Sequence, residues 1–171
     1  MKNIKNHIFD LYDTYGKELI NVRKKQREFI KFIGEHQFDD VESELLYLLG
    51  RAYEPKHCVE LGSLSCWSTS WLMNAIRKNQ NGDKNIGHIY SYDKLDSTIN
   101  WSSGNYLREL AGVDDRNHIG AFNISKGKGK GIPIRTLNLG NVYDTINHNQ
   151  FHNHMVDFLF VDALHSKDFH R

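Results

Sequence analysis

The sequence predicts an α/β fold, a parallel β-sheet with flanking helices preceded by N-terminal helices. Three observations predict it. After Pro55, short apolar runs alternate with segments of helical periodicity, the order that builds a parallel sheet. The run at 156–161 is almost continuously apolar between Asp157 and Asp162, which suits a central parallel strand covered on both faces. Gly62 closes the first apolar run and precedes a helix, at the strand end where open α/β sheets receive their ligands.

Taken in order, residues 1–38 read as a helical segment. Leu19, Ile20, Val22, Phe29, Ile30, Phe32 and Ile33 form an imperfect apolar stripe that ends near Gly34. A second helix starts at Asp39 or Asp40, either of which can cap the N–H groups of its first turn. Val41, Leu45, Leu46, Leu48 and Leu49 form its buried face, and Pro55 forbids its continuation. Residues 58–61 make a first strand. A helix over about 68–78 turns Trp71, Leu72, Ala75 and Ile76 inward, and the polar stretch 79–85 is a turn. Residues 88–93 make a second strand that ends on Asp93. A short helix at 106–111 has Gly112 as its C-cap. The Lys-Gly alternation at 126–131 reads as a linker, 135–139 as a third strand and 156–161 as a fourth.

The α/β domain is thus expected over 39–171, truncated after its fourth strand, with the sheet incomplete at the C-terminal side. Either the sequence is a fragment or something else covers that edge. A homodimer through the open edge is the expectation, because an unpaired edge invites strand pairing.

Composition narrows the partners. Lys and Arg number 22 against 21 Asp and Glu, a net charge of +1, so no basic field argues for nucleic acid, which is not indicated. Two cysteines, Cys58 and Cys66, are too few for a disulfide framework and read as reduced thiols. Residues 1–10 are polar, unlike a secretory leader. No stretch approaches the roughly 18 consecutive apolar residues of a membrane span. The expectation is a cytoplasmic protein with no membrane partner.

The residues most suited to chemistry lie at strand ends. A glycine after a parallel strand lets backbone approach a ligand without a side chain in the way. The helix that follows Gly62 offers unpaired N–H groups, which favour a carboxylate or phosphate, and Ser65 and Ser68 add hydroxyls. A plain strand–loop–helix turn with Ser68 as N-cap is the simpler alternative. Neither G-x-G-x-x-G nor G-x-x-x-x-G-K-[ST] is present, which weakens a dinucleotide or nucleoside-triphosphate reading. Asp93, at the end of the second strand, can accept hydrogen bonds from both hydroxyls of a ribose. His148, His152 and His154 lie on a polar segment without a paired Cys or acid motif and read as solvated.

Glu60-x-Gly62-x-x-x-Cys66-x-Ser68 resembles the first motif of class I S-adenosylmethionine (SAM)-dependent methyltransferases, whose sheet is Rossmann-like. It is closest to the small-molecule, catechol-type O-methyltransferases, with E-x-G-x-x-x-G-x-S. The resemblance implies that Gly62 and Ser63 lie beside the methionine part of SAM. It also implies that Ser68 binds the cofactor's carboxylate and that Glu60 sits near its amino group. Asp93 matches the family's ribose-binding acid, and Asn141, in Leu139-Gly140-Asn141, resembles the residue beside the adenine. Cys66 departs from the pattern, which has glycine there.

The segment from Asp157 to Ser166 resembles D-x-x-F-[IV]-D-x-x-[HK] of the same enzymes and a related branch ending D-x-x-H-S. By that resemblance Asp162 binds a divalent cation such as Mg²⁺, and His165 acts as general base. Either device removes the proton that a hydroxyl nucleophile must lose. The resemblance therefore implies SAM-dependent O-methylation of a small molecule or sugar hydroxyl, with or without metal assistance, and a small-molecule acceptor as partner. The competing reading is a truncated or degenerate methyltransferase-like protein that binds or assembles without catalysis.

Overall fold

A computed structural model describes residues 4–33, 40–63, 66–79, 87–93, 135–139 and 156–162. In chain order these form α1 (Ile4–Ile33), α2 (Asp40–Tyr53), β1 (His57–Leu61), α3 (Trp67–Asn79), β2 (His88–Asp93), β3 (Arg135–Leu139) and β4 (Phe158–Val161). The expected helix at 106–111 and the Lys-Gly segment at 126–131 lie outside the described residues.

The strands pair in the order β3-β2-β1-β4, and each pairing is parallel. Residues Cys58 to Leu61 run opposite Phe158 to Val161 on one side, and His57 to Leu61 opposite His88 to Tyr92 on the other. The carboxyl ends of β1, β2 and β4 therefore lie side by side. This is the parallel sheet with N-terminal helices that the alternating pattern predicts, in the Rossmann-like form that the resemblance implies.

Helix α3 is the centre of the molecule. Every residue from Trp67 to Ile76 is buried, because α3 packs against the sheet on one side and against α1 and α2 on the other. Towards the sheet, Leu72, Met73 and Ile76 join Leu46, Cys58, Cys66 and Ile89, with Phe158 and Phe160 packed against them. Towards the helices, Trp67, Trp71 and Ala75 join Leu11, Leu19, Val22, Tyr47 and Leu48. The two indoles meet edge to face, 5.8 Å between centroids, an arrangement that suits aromatic quadrupoles. Each such large side chain contributes about 1.5–3 kcal/mol when fully buried. Gly50 lets α2 approach closely, since a Cβ there would lie 2.9 Å from the Ala75 Cβ.

Two carboxylate networks, one on buried Glu44 and one on half-buried Glu18, pin the helices together. Glu44 of α2 accepts from the Arg23 guanidinium and from the Tyr12 hydroxyl of α1. Glu18 of α1 accepts from Tyr47 (2.7 Å) and Arg51 (2.8 Å) of α2. The Arg51 guanidinium, against desolvation, holds the Glu18 carboxyl below its ordinary value, and burial beside Glu18 keeps the Tyr47 phenol protonated well above its own.

Three expectations need correction. Ile20 and Val41, assigned to buried faces, are 65% and 60% exposed. Their helices turn polar residues inward instead, Gln26 in α1 and Ser43 and Glu44 in α2. Apolar periodicity could not find them, because their burial depends on tertiary hydrogen bonds. Strand β4 begins at Phe158 rather than 156, because the Asp157 carboxylate turns back to accept from the N–H groups of Lys56 (2.7 Å) and His57 (3.0 Å). Among the described residues β4 is an edge strand: Phe158 and Phe160 face the core, while Leu159 and Val161 are exposed.

Candidate functional site

Among the described residues of the loop after β1, Gly62 at φ 84° and Cys66 at φ 63° lie in the left-handed backbone region. Glycine occupies that region freely. A side chain there is uncommon, which gives the physical reason for glycine in the motif that Cys66 departs from. Cys66 is accommodated because its side chain is fully buried in the core between sheet and α3. Its carbonyl accepts from the Ser70 N–H (3.0 Å). That is the first bond of α3, so Cys66, not Ser68, is the N-cap, and Ser68 lies inside the first turn.

Gly62 extends the β1–β2 pairing by one step, donating its N–H to the Tyr92 carbonyl (2.8 Å). One residue further, Ser63 donates both its N–H (2.7 Å) and its hydroxyl (3.3 Å) to one oxygen of Asp93. On the other side of β1, Asp162 donates its N–H to the Leu61 carbonyl (2.9 Å) and its residue is half-buried. Gly62, Ser63, Asp93 and Asp162 thus converge at the carboxyl ends of three adjacent parallel strands.

Behind this surface lies Glu60, wholly buried on β1. Its carboxyl accepts from Ser68 (2.9 Å), from Thr69 (2.7 and 2.9 Å to its two oxygens) and from Ser91 on β2 (2.6 Å). A buried acid is expensive unless hydrogen-bonded, and these three hydroxyls satisfy it. Glu60 and Ser68, expected from the resemblance to meet the amino group and the carboxylate of the cofactor, are bonded to each other. Thr69 and Ser91 were not found by sequence reasoning. The signal available was the hydroxyl run Ser68-Thr69-Ser70 one turn beyond an acid on a buried strand.

Asn141 and His165 lie outside the described residues. Among the described residues no group of three or more His, Cys, Asp or Glu side chains could hold a metal ion. A hard cation needs several oxygen ligands, and Asp162 belongs to no such group there. The Cys58 thiol is pushed up to about 12 by burial and by the nearby Asp157 and Glu60 carboxyls, which makes it an unreactive core side chain. No helix among the described residues is long and apolar enough to cross a membrane.

Fold and site together define a parallel α/β protein with a glycine-bearing loop at the end of β1 and an acid at the end of β2. Residues 59–171 match the family model described as a methyltransferase domain, and the chain belongs to that family. No curated protein matches the sequence. Among solved structures, it is similar to the O-methyltransferase from Bacillus cereus in complex with SAH, at 18% identity and a TM-score of 0.51, over 82% of this chain and 54% of that one. It is also similar to a protein of Klebsiella pneumoniae described provisionally as an O-methyltransferase, at 17% identity and a TM-score of 0.51, over 81% of this chain and 53% of that one. At such identities the likeness concerns the fold. The chain spans about half the length of these structures.

Proposed function

We propose that this chain binds SAM and directs methyl transfer to a hydroxyl oxygen of a small molecule or sugar. The observation that carries the reading is the convergence of Gly62, Ser63, Asp93 and Asp162 at the carboxyl ends of β2, β1 and β4. SAM, when bound, would supply an electrophilic methyl group on a sulfonium; its transfer to the acceptor oxygen would break the S–CH3 bond, leave the thioether S-adenosylhomocysteine and release the hydroxyl's proton. Gly62, bare of a side chain, leaves room beside the β1 end. Asp93, fixed by Ser63, presents a carboxylate for ribose hydroxyls. The first turn of α3 offers N–H groups to a carboxylate.

Ser68 would have to release Glu60 to donate to that carboxylate, so we assign Glu60 and Ser68 first to shaping the loop from behind. Asn141 remains assigned to the adenine. Removal of the acceptor's proton falls to Asp162, just past β4, and His165, three residues further along the sequence. A divalent cation held by Asp162 is the finer reading; from Asp162 alone such binding would be weak.

The test is calorimetric titration with S-adenosylhomocysteine, with and without Mg²⁺, on the wild-type chain and on Gly62→Val. Micromolar binding is expected, lost in the variant because a branched side chain at φ 84° distorts the loop. A folded wild-type chain that binds no S-adenosylhomocysteine would overturn the reading. Tighter binding with Mg²⁺ that disappears in Asp162→Ala would establish the cation.

A further inference from the structure

Four consecutive residues, Trp67 to Ser70, form the first turn of α3, and three other elements hold them. Ser68 and Thr69 donate to Glu60 of β1. Trp67 donates its indole N–H to the Ser43 hydroxyl of α2 (2.8 Å), with both groups buried. Ser70 accepts from the amide of Gln26 on α1 (2.6 Å) while donating to the Trp67 carbonyl (2.6 Å). Half of the tethers on this turn therefore come from the N-terminal helices.

Gln26 is the informative residue. It is 1% exposed on a helix whose inward neighbours Leu19 and Val22 are apolar. An apolar side chain would fill the same space without the cost of desolvating an amide. What the amide adds is direction: its bond to Ser70 fixes where α1 sits along α3, and so how the first turn of α3 faces the ends of β1 and β2. Buried polar groups that are fully satisfied specify one arrangement out of several with similar packing.

We propose that Gln26 and Ser43 are positioning residues for the ligand loop, coupling the docking of α1 and α2 to cofactor binding at the end of β1. The proposal rests on the cofactor reading above. Coupling of this kind is reciprocal: if the docked helices favour the ligand, the ligand favours docking.

The experiment compares wild type, Gln26→Leu, Ser43→Ala and Ser43→Thr by S-adenosylhomocysteine titration and by amide hydrogen exchange at residues 66–71. Gln26→Leu and Ser43→Ala are expected to weaken binding by about tenfold each, a typical coupling magnitude, with faster exchange at 66–71. Ser43→Thr keeps the hydroxyl and is expected to bind as wild type does. Wild-type affinity in Gln26→Leu and Ser43→Ala, with any loss confined to the thermal midpoint, would show a merely structural role and overturn the proposal. If the wild-type chain binds no S-adenosylhomocysteine, the cofactor reading falls, and the coupling is then decided by exchange alone: unchanged protection at 66–71 in both variants overturns it.

Discussion

Cys66 carries two opposed requirements in one residue. Its backbone lies at φ 63°, where a side chain costs roughly 1–2 kcal/mol. Its thiol side chain is fully buried between α3 and the sheet, where removing it would forfeit a contribution of similar size, about 1 kcal/mol. Cys66→Gly is therefore expected to change stability by less than about 1 kcal/mol, the two effects offsetting. Cys66→Val puts a β-branched side chain into the left-handed region and is expected to cost about 2–3 kcal/mol. Urea unfolding of the two variants checks this; equal stability of Val and Gly would mean that the backbone at 66 is not held at positive φ. The departure from glycine in the sequence was legible at once, whereas the reason it is tolerated was not. Burial of the thiol comes from Leu72, Met73 and Ile89, which are distant in the chain or on another element.

At the scale of elements, the start of β4 is set by a single carboxylate. Asp157 accepts from the N–H groups of Lys56 and His57, and these two bonds hold its carboxyl below the ordinary value despite its exposure. A lowered folded value means that the stabilisation is present above the ordinary carboxyl range and is lost as pH falls through the lowered value. Asp157→Ala is accordingly expected to be less stable than wild type at pH 7, with the difference shrinking as the pH falls from the ordinary carboxyl value through the lowered one. Urea midpoints of both proteins across that range measure it, and a difference that stayed constant with pH would refute the assignment. Helices and strands themselves were largely readable, since Pro55 and the change of period after it mark the passage from α2 to β1. Inward polar residues such as Gln26, Ser43 and Glu44 were not, because a helix's apolar pattern is silent about which polar side chains find partners across a seam.

For the molecule as a whole, α3 belongs to both apolar clusters, one against the sheet and one against the N-terminal helices. Neither can lose its packing without exposing a side of α3. The N-terminal helices and the sheet are therefore expected to unfold together. In a Trp101→Phe background, where fluorescence reports Trp67 and Trp71 alone, the fluorescence and far-ultraviolet circular dichroism transitions in urea are expected to coincide. Separate midpoints would show that α1 and α2 dock as an independent unit, and would also weaken any coupling through Gln26.

By itself the sequence determined the class of fold, the parallel order of elements and the positions of Gly62, Asp93 and Asp162 at strand ends, because period, proline and glycine are local signals. It also carried enough of a motif for membership in the methyltransferase-domain family to be anticipated. Only the tertiary structure decided that Glu60 and Ser68 are bonded to one another, that Thr69 and Ser91 complete that network, and that Gln26 and Ser43 reach the same helical turn. Those bonds join residues from 8 to 44 positions apart. A buried polar group is satisfied only by whatever the packed chain brings within reach, and no local pattern records that choice.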